Sequence, residues 1–248
     1  MGNKSLFSIV TVVYNGEQYL EETILSVINQ NYKNIEYIII DGGSSDGTVD
    51  IIKKYEDRIT YWVSEKDNGI YDAMNKGISV ATGSFINFMN AGDNFYSNDV
   101  LTNIANKIEL HDNDIIYGNV VYERQDGTLF IDDKSRKKQA NIYEINHQSC
   151  FYNLDLHEKY GVYSMKYPIS ADFLFLNRAI KKSGNNPLKV DVSVVKYDET
   201  GFSRVNIIKH QIEKIKISIE LYGPTWYIIS PSITILKVLV KKIIRKIT

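Results

Sequence analysis

Three carboxylates in the first hundred residues lie just after apolar runs of strand length. They are Asp41, Asp67 and Asp93. A carboxylate in that position can accept a hydrogen bond from a ligand, or bind a hard divalent cation, which prefers oxygen ligands. Asn, Asp and Gly also favour turns, so a simple strand-ending turn is the alternative at each position. The elements around the three acids decide whether they can act together.

Those elements alternate between strand and helix. Strand-like runs cover residues 6–13, 35–40, 59–63 and 84–89, and apolar residues at helical spacing occur in residues 17–29, 48–55 and 69–80. This order predicts an α/β fold with a Rossmann-like, mostly parallel central sheet flanked by helices. Ligands of such sheets bind beyond the carboxyl ends of the strands. We therefore expect the three acids and Tyr14, which follows the first strand, at one edge of the sheet.

The second half has a less regular pattern. Residues 114–123 and 128–131 are predicted to form a hairpin, and residues 132–141 a polar, mobile loop. A helix at residues 170–182, a strand at 188–196 and a long amphipathic helix at 203–222 are predicted to follow.

The composition is that of an ordinary globular protein. Of 248 residues, 44% are hydrophobic and 24% charged, which suits one α/β domain with an appendage. The net charge of −1 gives no case for nucleic-acid binding. Cys150 is the single cysteine, so an internal disulfide is excluded and a reducing compartment is expected. No secretory signal and no apolar stretch of roughly 20 residues, as a transmembrane helix needs, are visible.

Three stretches of the first half resemble one known family. They read FSIVTVVYNGEQYLEETILSVINQ, IEYIIIDGGSSDGTVDII and DNGIYDAMNKGISVATGSFINFMNAGD, and together cover roughly residues 6–100. The family is family 2 of the glycosyltransferases, with the GT-A fold, of the type that builds bacterial surface polysaccharides. The resemblance implies an enzyme that transfers a sugar from a nucleotide-sugar, usually with inversion and with Mg²⁺ or Mn²⁺.

The resemblance also implies donor-binding roles. Thr11, Tyr14 and Asp41 would hold the nucleobase and its surroundings, with Tyr14 stacked on the base and Asp41 accepting a hydrogen bond from it. Asp67 would lie near the ribose or the sugar. Asn75, a polar position on an otherwise apolar helix, would contact the sugar or the diphosphate.

The cation is expected at Asn90-Ala91-Gly92-Asp93. Members of the family commonly have several aspartates in this run, and here Asn90 and Gly92 replace two of them. Mg²⁺ in such sites binds one or two carboxylates together with diphosphate oxygens and water. Asp93 is therefore the expected metal ligand, since one carboxylate with a diphosphate can still hold the cation.

The general base is expected in the segment YPISADFLFLNRA, where the resemblance assigns it to Asp172. Inverting transfer needs a base that removes the proton of the attacking acceptor hydroxyl. Asp172 lies in the first turn of a predicted helix, which also suits a simple interaction with the helix dipole and would lower its pKa. In INHQSCFY, His147 and Gln148 are expected to line the acceptor pocket or the diphosphate, and a structural, hydrogen-bonded histidine is the alternative.

The last residues, 231–248, are apolar and basic and contain no acid. On a helix the apolar side chains would face one side and the basic ones the other, and the basic ones are Lys237, Lys241, Lys242, Arg245 and Lys246. This pattern predicts an interfacial helix on an anionic membrane. Docking of the same helix on its own domain or on a second copy is the alternative.

Together these features predict a glycosyltransferase domain over residues 1–202, with a nucleotide-sugar half (1–100) and an acceptor half (101–202), followed by a helical extension (203–248). The enzyme would be cytoplasmic, peripheral on the inner face of the cell membrane, and would transfer a sugar from a UDP-sugar to a saccharide acceptor carried on a lipid.

Two other functions are considered, and a homo-oligomer is left open. A nucleotidyltransferase has a similar sheet but needs a basic, glycine-rich loop after the first strand, where VVYNGEQY has one glycine and no lysine or arginine. A weakly active or inactive family member that serves as a binding partner or scaffold is the second alternative.

Overall fold

The computed structural model describes residues 5–123, 129–132, 136–138, 142–197 and 207–223. The strands are β1 (Phe7–Val13), β2 (Ile35–Asp41), β3 (Tyr61–Ser64), β4 (Phe85–Phe88), β5 (Asn94–Phe95), β6 (Ile115–Glu123), β7 (Leu129–Asp132), β8 (Arg136–Lys138), β9 (Ile142–Glu144), β10 (Cys150–Asn153) and β11 (Leu188–Tyr197). The helices are α1 (Leu20–Ile28), α2 (Thr48–Lys54), α3 (Ile70–Val80), α4 (Val100–Ile108), α5 (Asp155–Tyr160), α6 (Ala171–Ser183) and α7 (Ile207–Tyr222).

Within the described residues, nine strands form one mixed sheet in the order β3-β2-β1-β4-β10-β6-β11-β5, with β7 paired to β6. β3, β2, β1 and β4 run parallel to one another. β10 is antiparallel to both of its neighbours, β4 and β6, and β11 is parallel to β6. β8 and β9 form a separate antiparallel ribbon. The two predicted halves of the chain therefore share one sheet.

The sheet is covered on both faces, as continuous apolar strands predict. All seven residues of β1 are buried. Ile9 and Val13 face a core that α1, α2 and α4 complete, whereas Val10 and Val12 face a second core completed by α3, α5 and α6. The two helical layers leave the carboxyl ends of β1 to β4 as the edge on which loops can build a site.

Helix α7 packs on this body. Ile217 is fully buried against Phe173 and Leu174 of α6. Glu213 is also buried, and its Oε2 accepts a hydrogen bond from the N–H of Ile169 at 3.0 Å. The loop before α6 therefore depends on α7 for a hydrogen bond. No helix in the described part of the chain is long and apolar enough to cross a bilayer.

The alternation predicted for the first half is confirmed, with each strand boundary within two residues of its prediction. The second half adds antiparallel strands, so the sheet is mixed rather than mostly parallel. The predicted hairpin is confirmed by the antiparallel pairing of β6 and β7. The prediction of a loop over residues 132–141 is wrong for Arg136–Lys138, which pair with β9. The predicted membrane helix at 231–248 lies outside the described residues.

Candidate active site

The loops after β1 and β2 are joined by hydrogen bonds. Asn15 has a φ of 49°, in the left-handed region that Asn tolerates better than most residues. Its N–H donates to Ser44 Oγ at 2.7 Å, and its Oδ1 accepts from the N–H of Ser45 at 2.9 Å. The joined loops leave Tyr14 projecting from the carboxyl edge of the sheet, 67% exposed.

Asp41 is fully buried inside the loop after β2. Its carboxylate accepts hydrogen bonds from the N–H groups of Gly43 and Ser44 at 3.2 and 3.0 Å, and from the Ser64 hydroxyl at 2.5 Å. The Ser44 hydroxyl also donates to it. The carboxylate has no exposed surface for a nucleobase, so the predicted direct contact with the base does not fit this structure. Asp41 instead fixes the shape of the loop.

Asp67 lies against the same loop and is only half-buried. Its Oδ1 accepts a hydrogen bond from the N–H of Gly69 at 2.8 Å, at the start of α3. A Cβ atom at residue 42 would overlap with Asp67 Oδ2, so the close approach of carboxylate and loop requires Gly42. The Gly42 N–H donates to the carbonyl of Val13 at 2.9 Å. Asp67 and the segment that leads to Tyr14 therefore share one edge of the sheet.

Two other residues that were predicted to contact the nucleotide-sugar are hydrogen-bonded within the protein instead. Thr11 is fully buried, and its hydroxyl donates to the carbonyl of Met89 at 2.8 Å and lies 3.1 Å from the Tyr37 hydroxyl. Asn75 pairs with the backbone of Tyr163 through both ends of its amide, each at 2.9 Å. Direct contact with a donor does not fit either geometry, because the polar atoms are already paired within the protein.

Residues 90–93 form a tight turn that α1 holds. Gly92 has a φ of 98°, where any other residue would be strained. Thr23 Oγ1 accepts from the Gly92 N–H at 3.0 Å and donates to the Asp93 carbonyl at 2.9 Å. Asp93 Oδ2 accepts from Gln148 Nε2 at 3.0 Å. The backbone conformation gives a physical reason for glycine rather than an acid at position 92.

The turn offers one carboxylate to a cation. Within the described ranges, no group of three or more His, Cys, Asp and Glu side chains is arranged to hold a metal ion. Asn90 Oδ1 is buried and makes no hydrogen bond. An oxygen pair from Asp93 and Asn90 fits a hard cation whose remaining ligands are diphosphate oxygens and water.

A chain of hydrogen bonds runs across the site to Asp172, in the first turn of α6. Asn90 Nδ2 lies 3.2 Å from His147 Nε2, and His147 Nδ1 lies 3.2 Å from Asp172 Oδ2. The hydroxyl of Tyr71, from α3, donates to Asp172 Oδ1 at 2.6 Å. These contacts match an imidazole that donates from Nδ1 to the carboxylate and accepts at Nε2 from the amide. Three separate elements thus orient one carboxylate.

The pKa of Asp172 lies well below its usual range. Burial alone would raise it, but the hydrogen bonds from His147 and from the Tyr71 hydroxyl and the charge of Lys214 lower it by more. The sequence predicts the same direction, from the helix dipole alone. The side chain remains 20% exposed. Asp172 is therefore ionised at neutral pH and can take up a proton from a group beside it.

A cavity of about 200 Å³ opens next to Asp172. Its aromatic lining consists of Tyr71, Tyr117, Tyr122 and Phe173. Helix α7 closes one side with His210 and Lys214, and Lys214 Nζ lies 3.7 Å from Glu144 Oε1 across the cavity wall. Burial, and then the neighbouring Lys214, lower the pKa of His210. The cavity combines flat apolar rings with polar groups, as a sugar-binding pocket requires.

Sequence reasoning missed Tyr71, His210 and Lys214. Tyr71 is one aromatic residue in an amphipathic helix, where core packing is the ordinary explanation. The amphipathic pattern of residues 203–222 predicts a helix but not the neighbour against which it packs. The inward side of α7, and with it His210 and Lys214, becomes known only from the contact with α6.

Comparisons with known proteins identify the family of the chain. The sequence profile of "Glycosyl transferase family 2" matches residues 8–167. A "PGL/p-HBAD biosynthesis glycosyltransferase" of Mycobacterium bovis is 29% identical over 225 residues, which cover 87% of this chain and 86% of that protein. An uncharacterised glycosyltransferase of Mycobacterium tuberculosis is 32% identical over 202 residues, which cover 78% of this chain and 75% of that protein.

Solved structures share the fold. S. aureus TarS 1-349 superposes with a TM-score of 0.66 at 19% identity, over 90% of this chain and 74% of that one. The mannosyltransferase PcManGT from Pyrobaculum calidifontis, in complex with GDP-Man and Mn²⁺, superposes with a TM-score of 0.69 at 16% identity, over 88% and 65%. The predicted GT-A fold is thereby confirmed. The chain is a glycosyltransferase that belongs to glycosyl transferase family 2.

Proposed function

We propose that the enzyme transfers a sugar from a UDP-sugar to a saccharide acceptor with inversion at the anomeric carbon. The observation that carries this proposal is Asp172, an ionised carboxylate held by Tyr71 and His147 at the wall of the cavity. Inverting transfer by direct displacement needs one base on the acceptor side, at hydrogen-bond distance from the attacking hydroxyl.

In the proposed reaction, the acceptor hydroxyl lies in the cavity beside Asp172. Its oxygen forms a bond to the anomeric carbon while the bond from that carbon to the diphosphate breaks. Asp172 takes up the hydroxyl proton, and the nucleoside diphosphate leaves with the bonding electron pair. His147 and Tyr71 each hold the carboxylate by one hydrogen bond, so the carboxylate is already oriented before the acceptor binds.

Asp93 and Asn90 are the residues that would hold Mg²⁺ or Mn²⁺. The cation, when bound, supplies positive charge to the diphosphate that leaves. Gln148 keeps Asp93 oriented through its amide, 3.0 Å from the carboxylate. The Mn²⁺ in the PcManGT complex supports a divalent cation in this fold, without deciding between the two ions.

Tyr14 and Asp67 are the proposed donor contacts at the sheet edge. Tyr14 would stack on the nucleobase, for which its exposed ring is free to turn, and Asp67 would accept from ribose hydroxyls. Structures of TarS with UDP and with UDP-GlcNAc support the choice of a UDP-sugar. Thr11, Asp41 and Asn75 would contribute by holding the loops around the donor, and not by touching it.

We further propose a lipid-linked acceptor and a cytoplasmic location, peripheral on the inner face of the membrane. The support is the basic and apolar sequence of residues 231–248, which would hold the enzyme at an anionic surface. The glycosyltransferase profile argues against the nucleotidyltransferase alternative.

Binding of UDP to the wild-type protein is expected to be at least about tenfold tighter with Mn²⁺ than without it. The reason is that the diphosphate oxygens and the protein bind the same cation. Isothermal titration under both conditions measures this. Hydrolysis of a UDP-sugar above background in the same preparation would exclude the inactive scaffold. Weak binding with no response to Mn²⁺, together with no hydrolysis, would refute the proposed function.

Replacement of His147 by Gln is expected to move the acid limb of the pH profile of UDP-sugar hydrolysis upward by about one pH unit. His147 lowers the pKa of Asp172, so its loss raises that pKa. The base is then protonated, and activity lost, at a higher pH. Tyr71→Phe removes a hydrogen bond that lowers the pKa of Asp172 by less than that of His147 does, and should shift the limb in the same direction by less. An unmoved limb in both variants would contradict the assignment of Asp172 as base.

A further inference from the structure

Strand β7 exposes three apolar residues in succession. Leu129, Phe130 and Ile131 are 50%, 45% and 48% exposed. Successive side chains of a strand point to opposite faces, so Leu129 and Ile131 lie on one face of β7 and Phe130 on the other. The ring of Phe130 lies 6.5 Å from that of Tyr122, which lines the cavity. The exposed strand is therefore beside one wall of the cavity.

Helix α7 exposes isoleucines beside another wall. Ile207, Ile208 and Ile212 are 57%, 74% and 42% exposed. They occupy the first two turns of the helix, whose inward residues His210 and Lys214 line the cavity. Exposed apolar groups of this size are ordinary when scattered singly, but grouped around a cavity they mark an interaction surface.

We propose that these six residues form a surface, here called the rim surface, that docks on an anionic lipid bilayer. It consists of Leu129, Phe130 and Ile131 of β7 and Ile207, Ile208 and Ile212 of α7. Apolar side chains of this kind insert into the boundary between headgroups and acyl chains, and neighbouring basic residues bind the anionic headgroups.

The charges around the rim surface favour such a bilayer. On α7, Lys209 and Lys216 are exposed. The two acids of this helix are engaged elsewhere: Glu213 is buried, and Glu220 accepts from Lys166 and Tyr167, each at 2.7 Å. The outward side of the helix therefore presents positive charge beside its isoleucines, which attracts anionic lipid headgroups.

The same positive charge argues against self-association through this surface. Lys209 and Lys216 would repel the same face of a second copy of the chain. Charge complementarity thus favours an anionic membrane over self-association.

Docking through the rim surface would hold the cavity near the headgroups, at a distance of roughly 10 Å, the diameter of one helix. An acceptor sugar carried on a lipid could then reach Asp172 without leaving the membrane. This last consequence rests on the proposed function, whereas the docking itself does not.

The test is sedimentation of the full chain with vesicles of phosphatidylcholine containing about one quarter phosphatidylglycerol, and with phosphatidylcholine alone. We expect binding to the anionic vesicles and a fall of about tenfold or more in the partition coefficient for Ile208→Gln/Ile212→Gln. Leu110→Gln is the matched control, since Leu110 is 73% exposed and follows α4, in the opposite helical layer. It should bind like the wild type.

Three outcomes would overturn the proposal. They are unchanged binding of the double variant, equal binding to both kinds of vesicle, and a wild-type dimer in size-exclusion chromatography that the double variant loses. If deletion of residues 231–248 abolishes vesicle binding while the double variant binds like the wild type, the result belongs to the first outcome and overturns the proposal. UDP-sugar hydrolysis in solution should be the same in the double variant and the wild type, so that a failure of docking is distinguishable from a failure of the proposed function.

Discussion

Asp172→Asn is expected to lower UDP-sugar turnover by about 10²–10⁴-fold and to leave the affinity for UDP unchanged. The amide has the shape of the carboxylate, and its oxygen can still accept from the Tyr71 hydroxyl, so the site should keep its structure. It cannot take up the proton of the attacking hydroxyl at neutral pH. The proposed donor contacts, Tyr14 and Asp67, lie on other elements and are untouched. Steady-state hydrolysis and a UDP titration on the same sample separate the two effects.

Asp155→Asn is the matched control for that experiment. Asp155 lies on α5, its side chain is 65% exposed, and its ion pair with Lys159 is long at 3.9 Å. An exposed pair of this kind contributes little to stability. The control should keep wild-type turnover and melting temperature. Turnover within tenfold of wild type in Asp172→Asn would refute the role of Asp172 as base.

Asp93→Asn is expected to lower turnover on the order of 10²–10³-fold and to raise the Mn²⁺ concentration needed for half-maximal activity by more than about tenfold. Asp93 is the one carboxylate of the turn, and an amide oxygen is a weaker ligand for a hard cation. The fold should persist, because Gln148 Nε2 can donate to the new amide oxygen as it does to the carboxylate. Activity measured across a Mn²⁺ titration gives both quantities.

A destabilised turn would also lower the turnover of Asp93→Asn, so thermal unfolding must be measured together with the kinetics. A melting temperature close to that of the wild type, combined with a displaced Mn²⁺ curve, supports a ligand role. An unchanged Mn²⁺ curve with a lower melting temperature would assign Asp93 to the stability of the turn and would remove it from the proposed metal site.

The first half of the fold follows from sequence because its signals are local. Largely apolar strands such as 35–40 must be buried on both faces, and the helices between them have clear periodicity. The antiparallel insertion of β10 between β4 and β6 has no such signal. It depends on which strand edges are free once the others have paired, and only tertiary contacts settle that.

The site divides in the same way. A strand-end position pointed to Asp93, and the family resemblance pointed to Asp172. In the structure Gln148 hydrogen-bonds to Asp93, and the adjacent His147 contacts Asp172. The sequence could not show that the side chains of Asp41 and Asn75 form their hydrogen bonds with other groups of the protein. A carboxylate or an amide has the same sequence signature whether its partner is a ligand or an N–H of the next loop.

The position of α7 in the chain has a consequence for biosynthesis. The helix that is synthesised after every other described element provides the wall formed by His210 and Lys214. It also provides Glu213, which accepts a hydrogen bond from the loop before Asp172. During translation, the nine-stranded sheet of the described residues can therefore fold around an open, unsupported cavity before α7 has left the ribosome. Catalytic competence should thus appear late in synthesis, after the nascent chain can already bind nucleotide.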